Sequence, residues 1–219
     1  MKIKIIWFDF GGVLSPPITE LYRHYYLKTG IKPASLQKAM NEIAKEMNMD
    51  GLAPLEKGIL SERDWGRKIR YKLLELFPGI DLSRADLEHF GKQWFKDVLP
   101  NQKMISFFNS VKQSKRMAGI LTNNVIEWER HWKKIIEVSS KADFIIDSCK
   151  IGYRKPEKEI FHIAVDKAGV LPSECLLIDD LMVNCIAAEQ NGWNAIQYIR
   201  TENVINKIEL LLKSQGDIL

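Results

Sequence analysis

The chain has 219 residues, of which 46% are hydrophobic, a formal net charge of +4, and three cysteines without the spacing of a metal or redox site. This length supports one sizeable core, or a core with a small second domain, and the scattered lysines and arginines form no basic stripe that would bind nucleic acid. No apolar run approaches the roughly 18–20 residues of a membrane span, and the N-terminal apolar stretch stops at Asp9, too early for a signal peptide, so we expect a soluble cytoplasmic protein.

Short apolar runs alternate with longer helical patterns through most of the chain, beginning with a strand predicted at Ile3–Trp7. Near-continuous apolar strands separated by helices predict a parallel sheet covered on both faces, which is a Rossmann-like, doubly wound α/β fold. The later strands are predicted at Arg116–Thr122, Ala142–Ser148, Glu174–Asp180 and Asn194–Arg200, and the helices around them at Gln102–Ser114, Val125–Val138, Pro156–Ala168, Leu181–Asn191 and Glu202–Lys213.

Residues 15–98 break this alternation, because four helical patterns follow one another with no strong strand among them. We expect an all-helical insertion between the first two strands. It divides the chain into an α/β core of residues 1–14 and 99–219 and a helical domain of residues 15–98. The insertion helices are predicted at Ile18–Thr29, Ala34–Met49, Glu62–Phe77 and Arg84–Val98.

Polar residues and glycines follow the predicted strands where the strands end. In an open parallel sheet, ligands bind beyond the carboxyl ends of the strands, so we expect these residues to converge. Carboxylates gathered there repel one another unless a cation or a lysine compensates them, and carboxylates with a backbone carbonyl suit Mg²⁺. The residues are Asp9, Gly11 and Gly12 after the first strand, Thr122 and Asn123 after the second, Lys155 before a proline predicted to open a helix, and Asp179 and Asp180 after the fourth strand.

Each of these residues also has an ordinary structural interpretation. Asp9 and the glycines suit a turn, and Thr122 and Asn123, like the aspartate pair, can cap the helix that follows. Lys155 can simply be solvated. Their joint occurrence favours a functional site, although each single alternative stays open.

Four segments, taken in order, resemble the motifs of the haloacid dehalogenase superfamily of phosphotransferases: "FDFGGVL", "LTNN", "RKPE" and "IDDLMVN". The resemblance extends from end to end of the chain, and the helical insertion lies where that family carries its cap domain. Within these motifs, the amino-acid sequence most resembles the bacterial sugar-phosphatase-like branch and the N-terminal phosphatase-like domain of soluble epoxide hydrolases. The resemblance implies a Mg²⁺-dependent phosphatase that acts on a small phosphorylated metabolite.

The resemblance also implies a role for each site residue. Asp9 would be the nucleophile, which forms an aspartyl-phosphate, and Lys155 would neutralise charge during the reaction. Asn184 would support the metal ligands without touching the metal. The implied metal ligands are Asp9, the Gly11 carbonyl, Asp179 and Asp180, and the implied phosphate contacts are Gly12, Thr122, Asn123 and Lys155.

Gly11 departs from the family pattern, because phosphatases of the family usually carry a second aspartate there, which protonates the leaving-group oxygen. The Gly11 carbonyl can still bind a metal, but glycine supplies no proton. Two alternatives therefore stay open: a 2-haloacid dehalogenase, whose halide needs no acid, and a catalytically weak phosphate-binding or interaction protein. His24 is a candidate substitute donor, and Tyr22 and Tyr26 are candidates to face the pocket.

Overall fold

The centre of the protein is a sheet of five parallel strands, seen in a computed structural model that describes residues 2–114, 116–214 and 216. The strands are β1 (Ile5–Phe8), β2 (Met117–Thr122), β3 (Phe144–Asp147), β4 (Cys175–Asp179) and β5 (Asn194–Gln197). Their spatial order is β3-β2-β1-β4-β5, with every neighbouring pair parallel. This arrangement confirms the predicted α/β class.

Helices cover both faces of the sheet, and alternate residues of β1 therefore pack into two different hydrophobic cores. Ile6 and Phe8 pack into the larger core, and Ile5 and Trp7 into the smaller one on the opposite face. Period-2 alternation of a strand buried on both sides produces this separation. The helices that follow the insertion are α6 (Gln102–Gln113), α7 (Glu129–Ile135), α8 (Ser148–Ile151), α9 (Lys158–Ala168), α10 (Met182–Gln190) and α11 (Thr201–Ser214).

Residues 15–98 contain helices joined by turns and irregular segments, and all five strands of the sheet lie outside them. Three of the four predicted helices occur with ends shifted by at most three residues. The prediction for Arg84–Val98 is wrong in extent, since Asp86 accepts a hydrogen bond from the His89 N–H and starts a separate short turn. The insertion helices, with this turn left out, are α1 (Ile18–Thr29), α2 (Pro33–Glu46), α3 (Ala53–Glu56), α4 (Glu62–Leu76) and α5 (Phe90–Trp94).

Two further predictions about the core helices are corrected. The helix predicted at Val125–Val138 is divided into 3-10 turns on either side of α7. Pro156 does not open a helix, because Glu157 has extended backbone angles and α9 begins only at Lys158. Gly192, with φ +80°, lies two residues after the end of α10 at Gln190.

Aromatic side chains join the insertion to the core. Phe10, just after β1, lies 5.9 Å from Phe95, measured between ring centroids, and Phe95 lies 5.7 Å from Trp128. Trp128 in turn stacks on Phe90 of α5 at 5.6 Å. The larger core is therefore continuous from the sheet into the insertion, which fixes the insertion above the end of β1. No helix among the described residues has the length and apolar character needed to cross a membrane.

Candidate active site

The three aspartates expected to converge do so at the carboxyl end of the sheet. Asp9 follows β1, and Asp179 ends the adjacent strand β4, with Asp180 directly after it. Carboxylate oxygens of these three residues lie within 4.8 Å of one another. Asp179 is fully buried and Asp9 nearly so, whereas Asp180 is partly exposed.

One buried lysine lies within this acidic cluster. The Nζ atom of Lys155 is 3.0 Å from Oδ1 of Asp9 and 2.5 Å from Oδ2 of Asp179, and it donates to the Leu121 carbonyl at 2.7 Å. Only 1% of this residue is exposed, so the alternative of a solvated lysine is wrong. Burial lowers the pKa of Lys155, but the two carboxylates raise it by more, and the ammonium form is retained.

Asn123 holds the loop that carries this lysine. Its side-chain amide donates to the Lys155 carbonyl at 2.9 Å, and its side-chain oxygen accepts from the Lys155 N–H at 2.8 Å. The neighbouring Thr122 is 1% exposed, and its hydroxyl donates to the Asn123 carbonyl at 3.4 Å. The Asn123 side chain is thus a brace for Lys155, a role that the sequence did not reveal.

The two adjacent aspartates have different surroundings. Oδ1 of Asp179 accepts from the Leu181 N–H and from the Asn184 side chain, both at 2.9 Å, while its Oδ2 faces Lys155. Asp180 instead lines the cavity above the sheet. Asn184 therefore acts on Asp179, and Asp180 is the better placed of the pair to contact a ligand.

The cluster suits a hard divalent cation, because three carboxylates surround a single ammonium. Burial and the nearby Asp179 and Asp180 raise the pKa of Asp9 to about 8, although Lys155 lowers it. Burial and Asp179 likewise raise the pKa of Asp180 to about 6. A cation bound by Asp9, Asp180 and the Gly11 carbonyl would compensate the excess negative charge with oxygen ligands of the kind that Mg²⁺ takes.

The two glycines that follow Asp9, Gly11 and Gly12, differ in whether the structure could accept a side chain at their positions. Gly12 has φ +69°, and a Cβ atom there would lie 2.4 Å from Oδ2 of Asp180. Gly11 has ordinary angles, φ −64° and ψ 126°, and the nearest atom to a Cβ would be Oδ2 of Asp9 at 3.8 Å. The fold therefore requires glycine at position 12, whereas at position 11 it leaves room for a side chain.

A cavity of about 450 Å³ opens above the cluster between the core and the insertion. Much of its wall is apolar and comes from the insertion. Tyr22 lines this cavity, as considered from the sequence, but Tyr26 is 40% exposed elsewhere. His24 lies in a separate depression beside Asp97, so it is wrong as a substitute proton donor. The apolar residues that the insertion contributes are Ile18, Leu21, Met40, Leu52, Trp94 and Phe95.

Two ion pairs connect the insertion to the loop of Lys155, and the sequence predicted neither. Oε2 of Glu56, at the end of α3, is 2.7 Å from Nε of Arg154. The next residue, Lys57, pairs with Glu157 at 2.9 Å. Glu56 and Arg154 also line the cavity. Nothing in the local sequence signals these contacts, since the paired residues lie about a hundred positions apart in the chain.

We expect Gly12→Ala to disrupt the site, because the new methyl group would displace the Asp180 carboxylate and strain the backbone. Gly11→Ala is the matched control, with ordinary angles and open space. Mg²⁺ affinity, measured by calorimetric titration, should fall sharply for the first variant and stay near the wild-type value for the second. Equal affinities for the two variants would contradict the geometry.

We also expect Mg²⁺ affinity to rise between about pH 6 and pH 8. Protons on Asp180 and Asp9, whose pKa values are about 6 and about 8 without a cation, compete with the metal, so binding releases them. Titrations in buffers of different ionisation enthalpy measure that release. A pH-independent affinity would contradict the assignment.

The variants Asp180→Asn and Asp179→Asn separate the two aspartates in the same titration. The first should weaken binding by more than the second, because it replaces the carboxylate that faces the cavity, where we expect the cation, with a neutral amide. The second should weaken binding by about 10–100-fold and destabilise the fold, because Lys155 loses one of its two buried carboxylate partners. The reverse ranking of affinities would exchange the two roles.

Comparison with known sequences places this site in a family. The chain matches the haloacid dehalogenase-like hydrolase family over residues 3–192. It is similar to D-ribitol-5-phosphate phosphatase of Bacteroides thetaiotaomicron, with 25% identity over 202 residues, which covers 89% of this chain and 91% of the relative. It is also similar to rat bifunctional epoxide hydrolase 2, with 27% identity over 225 residues, which covers 98% of this chain but only 40% of the relative.

Solved structures share the fold. One is a haloacid dehalogenase family enzyme of B. thetaiotaomicron, in complex with magnesium and inorganic phosphate. It superposes with a TM-score of 0.61 at 19% identity, and the match covers 90% of this chain and 94% of the enzyme's chain. L-2-haloacid dehalogenase of Xanthobacter autotrophicus, with chloropropionic acid covalently bound, has a TM-score of 0.64 at 14% identity. This match covers 99% of this chain and 84% of the dehalogenase chain. With its family match over residues 3–192, the chain belongs to the haloacid dehalogenase-like hydrolases.

Proposed function

We propose that this hydrolase is a magnesium-dependent phosphatase, which transfers the phosphoryl group of a small phosphorylated metabolite to Asp9 and then to water. The observation that carries the proposal is the acidic cluster itself, in which carboxylate oxygens of Asp9, Asp179 and Asp180 lie within 4.8 Å of one another around Lys155. Such a cluster needs a further cation, and a cation with a lysine is what an anionic nucleophile needs to approach an anionic phosphoryl group.

Magnesium is the cation that these ligands favour. Asp9, Asp180 and the Gly11 carbonyl would hold it, with Asp179 behind them and Asn184 bracing Asp179. When bound, it would withdraw charge from the phosphoryl oxygens and from the carboxylate that attacks. The complex of a similar enzyme with magnesium and inorganic phosphate supports this choice.

The residues of the chain orient the nucleophile. Oδ1 of Asp9 accepts the Phe10 N–H at 2.7 Å and faces Lys155 at 3.0 Å, so its orientation is fixed from two directions. Oδ2 then faces the open space beside Gly11 and is the oxygen we expect to attack phosphorus. A nucleophile held in this way loses little entropy on reaching the in-line geometry.

The phosphoryl oxygens need contacts of their own. We assign these contacts to Lys155, the backbone at Gly12 and Asn123, and the Thr122 hydroxyl. The Asn123 side chain already forms hydrogen bonds with the backbone of Lys155. Only the backbone N–H of Asn123 is therefore available to a phosphoryl oxygen. We further propose that residues 15–98 act as the cap, which covers the leaving group with its apolar wall.

The dehalogenase alternative shares the fold, but the acidic cluster argues against it. A haloacid is itself an anion, and displacement of halide from carbon uses no metal. Asp180, partly exposed in the cavity, would repel such a substrate without a cation. Weak phosphate binding without turnover is less favoured because Asp9 keeps its lysine and its orienting hydrogen bond.

We expect hydrolysis of p-nitrophenyl phosphate to require Mg²⁺ and to be lost when a chelator removes it. Asp9→Asn should reduce kcat by at least about 10³-fold, because an amide is a far poorer nucleophile. Circular dichroism of the variant checks that the fold is retained. Activity of Asp9→Asn within a few-fold of wild type, or dehalogenation of 2-chloropropionate without metal, would contradict the proposal.

A further inference from the structure

The missing acid at position 11 leaves a defined chemical gap. The phosphatase proposed above must still protonate an alkoxide when its leaving group is an alcohol, and Gly11 supplies no proton. Among the described residues that line the cavity, Glu56 is the carboxyl group that lies outside the acidic cluster. It belongs to the insertion wall, whereas Asp9 belongs to the core wall.

We propose that Glu56 replaces the missing aspartate as the catalytic acid and base, acting on the leaving-group oxygen and then on water. This inference rests on the phosphatase function proposed above. It gives the insertion a chemical role as well as a covering one.

The position of Glu56 is fixed by the ion pairs between the insertion and the core. Its side chain is only 12% exposed, and Oε2 is 2.7 Å from Nε of Arg154. Beside it, Lys57 pairs with Glu157, which also accepts the Arg154 N–H at 3.3 Å. Glu56 is therefore held against the same loop that carries Lys155 to Asp9. This contact fixes the insertion wall of the cavity relative to the core wall.

The charges around Glu56 are compatible with a proton donor. Burial raises the pKa of its carboxyl above the usual range, whereas Arg154 and Lys155 lower it by a smaller amount. Lys57, the other nearby cation, is already engaged by Glu157. The negative charge of an incoming phosphoryl group would raise the pKa further, toward the neutral range where a general acid is most effective.

The steps balance with one proton that Glu56 gives and recovers. The Asp9 carboxylate attacks phosphorus, the bond from phosphorus to the leaving oxygen breaks, and that oxygen takes the Glu56 proton and leaves as an alcohol. Water then attacks phosphorus and gives a proton to the Glu56 carboxylate, while the bond from phosphorus to Asp9 breaks. Asp9 returns as a carboxylate, and phosphate departs.

Tyr22 is the competing donor in the same cavity. Its hydroxyl lies 3.8 Å from the sulfur of Met40, and burial raises the pKa of this phenol beyond its usual range, although a hydrogen bond with Gln37 lowers it in part. A phenol whose pKa is raised is a poorer acid at neutral pH than a buried carboxyl group. Tyr22→Phe is therefore the variant that tests the competing assignment.

The experiment compares p-nitrophenyl phosphate, whose phenolate leaves unaided, with 2-phenylethyl phosphate, whose alkoxide needs a proton. Glu56→Gln should lower kcat for the alkyl substrate by about 100-fold or more and leave the aryl substrate almost unchanged. The basic limb of the pH–rate profile for the alkyl substrate should disappear. Glu157→Gln, which breaks the neighbouring ion pair outside the cavity, is the matched control and should affect both substrates alike.

Gly11→Asp in the Glu56→Gln background should restore alkyl turnover, since position 11 has room for a side chain. Equal loss on both substrates in Glu56→Gln, no loss on either, a wild-type enzyme that hydrolyses the aryl phosphate but not the alkyl phosphate, or a selective loss of alkyl turnover in Tyr22→Phe would each overturn the role of Glu56. Absence of Mg²⁺-dependent p-nitrophenyl phosphate hydrolysis in the wild type would instead refute the phosphatase function itself.

Discussion

The site depends on the buried ammonium of Lys155. Its contacts come from three adjacent strands: Asp9 after β1, the Leu121 carbonyl on β2 and Asp179 at the end of β4. A buried charge is tolerated only when it is paired and hydrogen-bonded, and here the contacts with Asp9 and Asp179 also orient groups that the proposed reaction uses. Without this ammonium, the three carboxylates, of which Asp9 and Asp179 are buried, would face one another uncompensated, and the end of the sheet could not hold its present form.

The lysine depends in turn on a loop held from two sides. Asn123 fixes the Lys155 backbone from the core, and Glu56 and Lys57 reach the flanking residues Arg154 and Glu157 from the insertion. The insertion wall of the cavity and the carboxylate of Asp9, the proposed nucleophile, are therefore linked through one short loop. This link is a physical reason for the insertion and the core to act as a single unit.

Much of this arrangement follows from sequence, because parallel strands bring their carboxyl ends to one edge. The pattern of strands predicted the convergence of Asp9, Lys155 and Asp180, and the order of motifs predicted the family. The contacts that hold the Lys155 loop in place could not be predicted in this way. Short helices such as α3 are stabilised by tertiary contacts rather than by their own sequence, so Glu56 carries no local signal, and the Asn123 side chain bonds to a backbone 32 residues away.

The same limit explains the errors. His24 lies on an insertion helix whose aromatic pattern indicates a buried face, but that pattern does not say which cavity the helix borders. The glycines show the opposite case, in which structure separates neighbours that sequence treats alike. Gly12 is required by its backbone angle and by Asp180, whereas Gly11 is required by neither. The glycine at position 11 is therefore not a consequence of packing.

We propose that Asp9 accepts the phosphoryl group from the substrate. Acid-quenched single turnover with p-nitrophenyl phosphate, followed by peptide mapping, detects this transfer. We expect a phosphorylated peptide whose modification maps to Asp9 and forms only when Mg²⁺ is present. Release of p-nitrophenol without a phosphorylated enzyme, or a phosphoryl group located on Asp179 or Asp180, would contradict it.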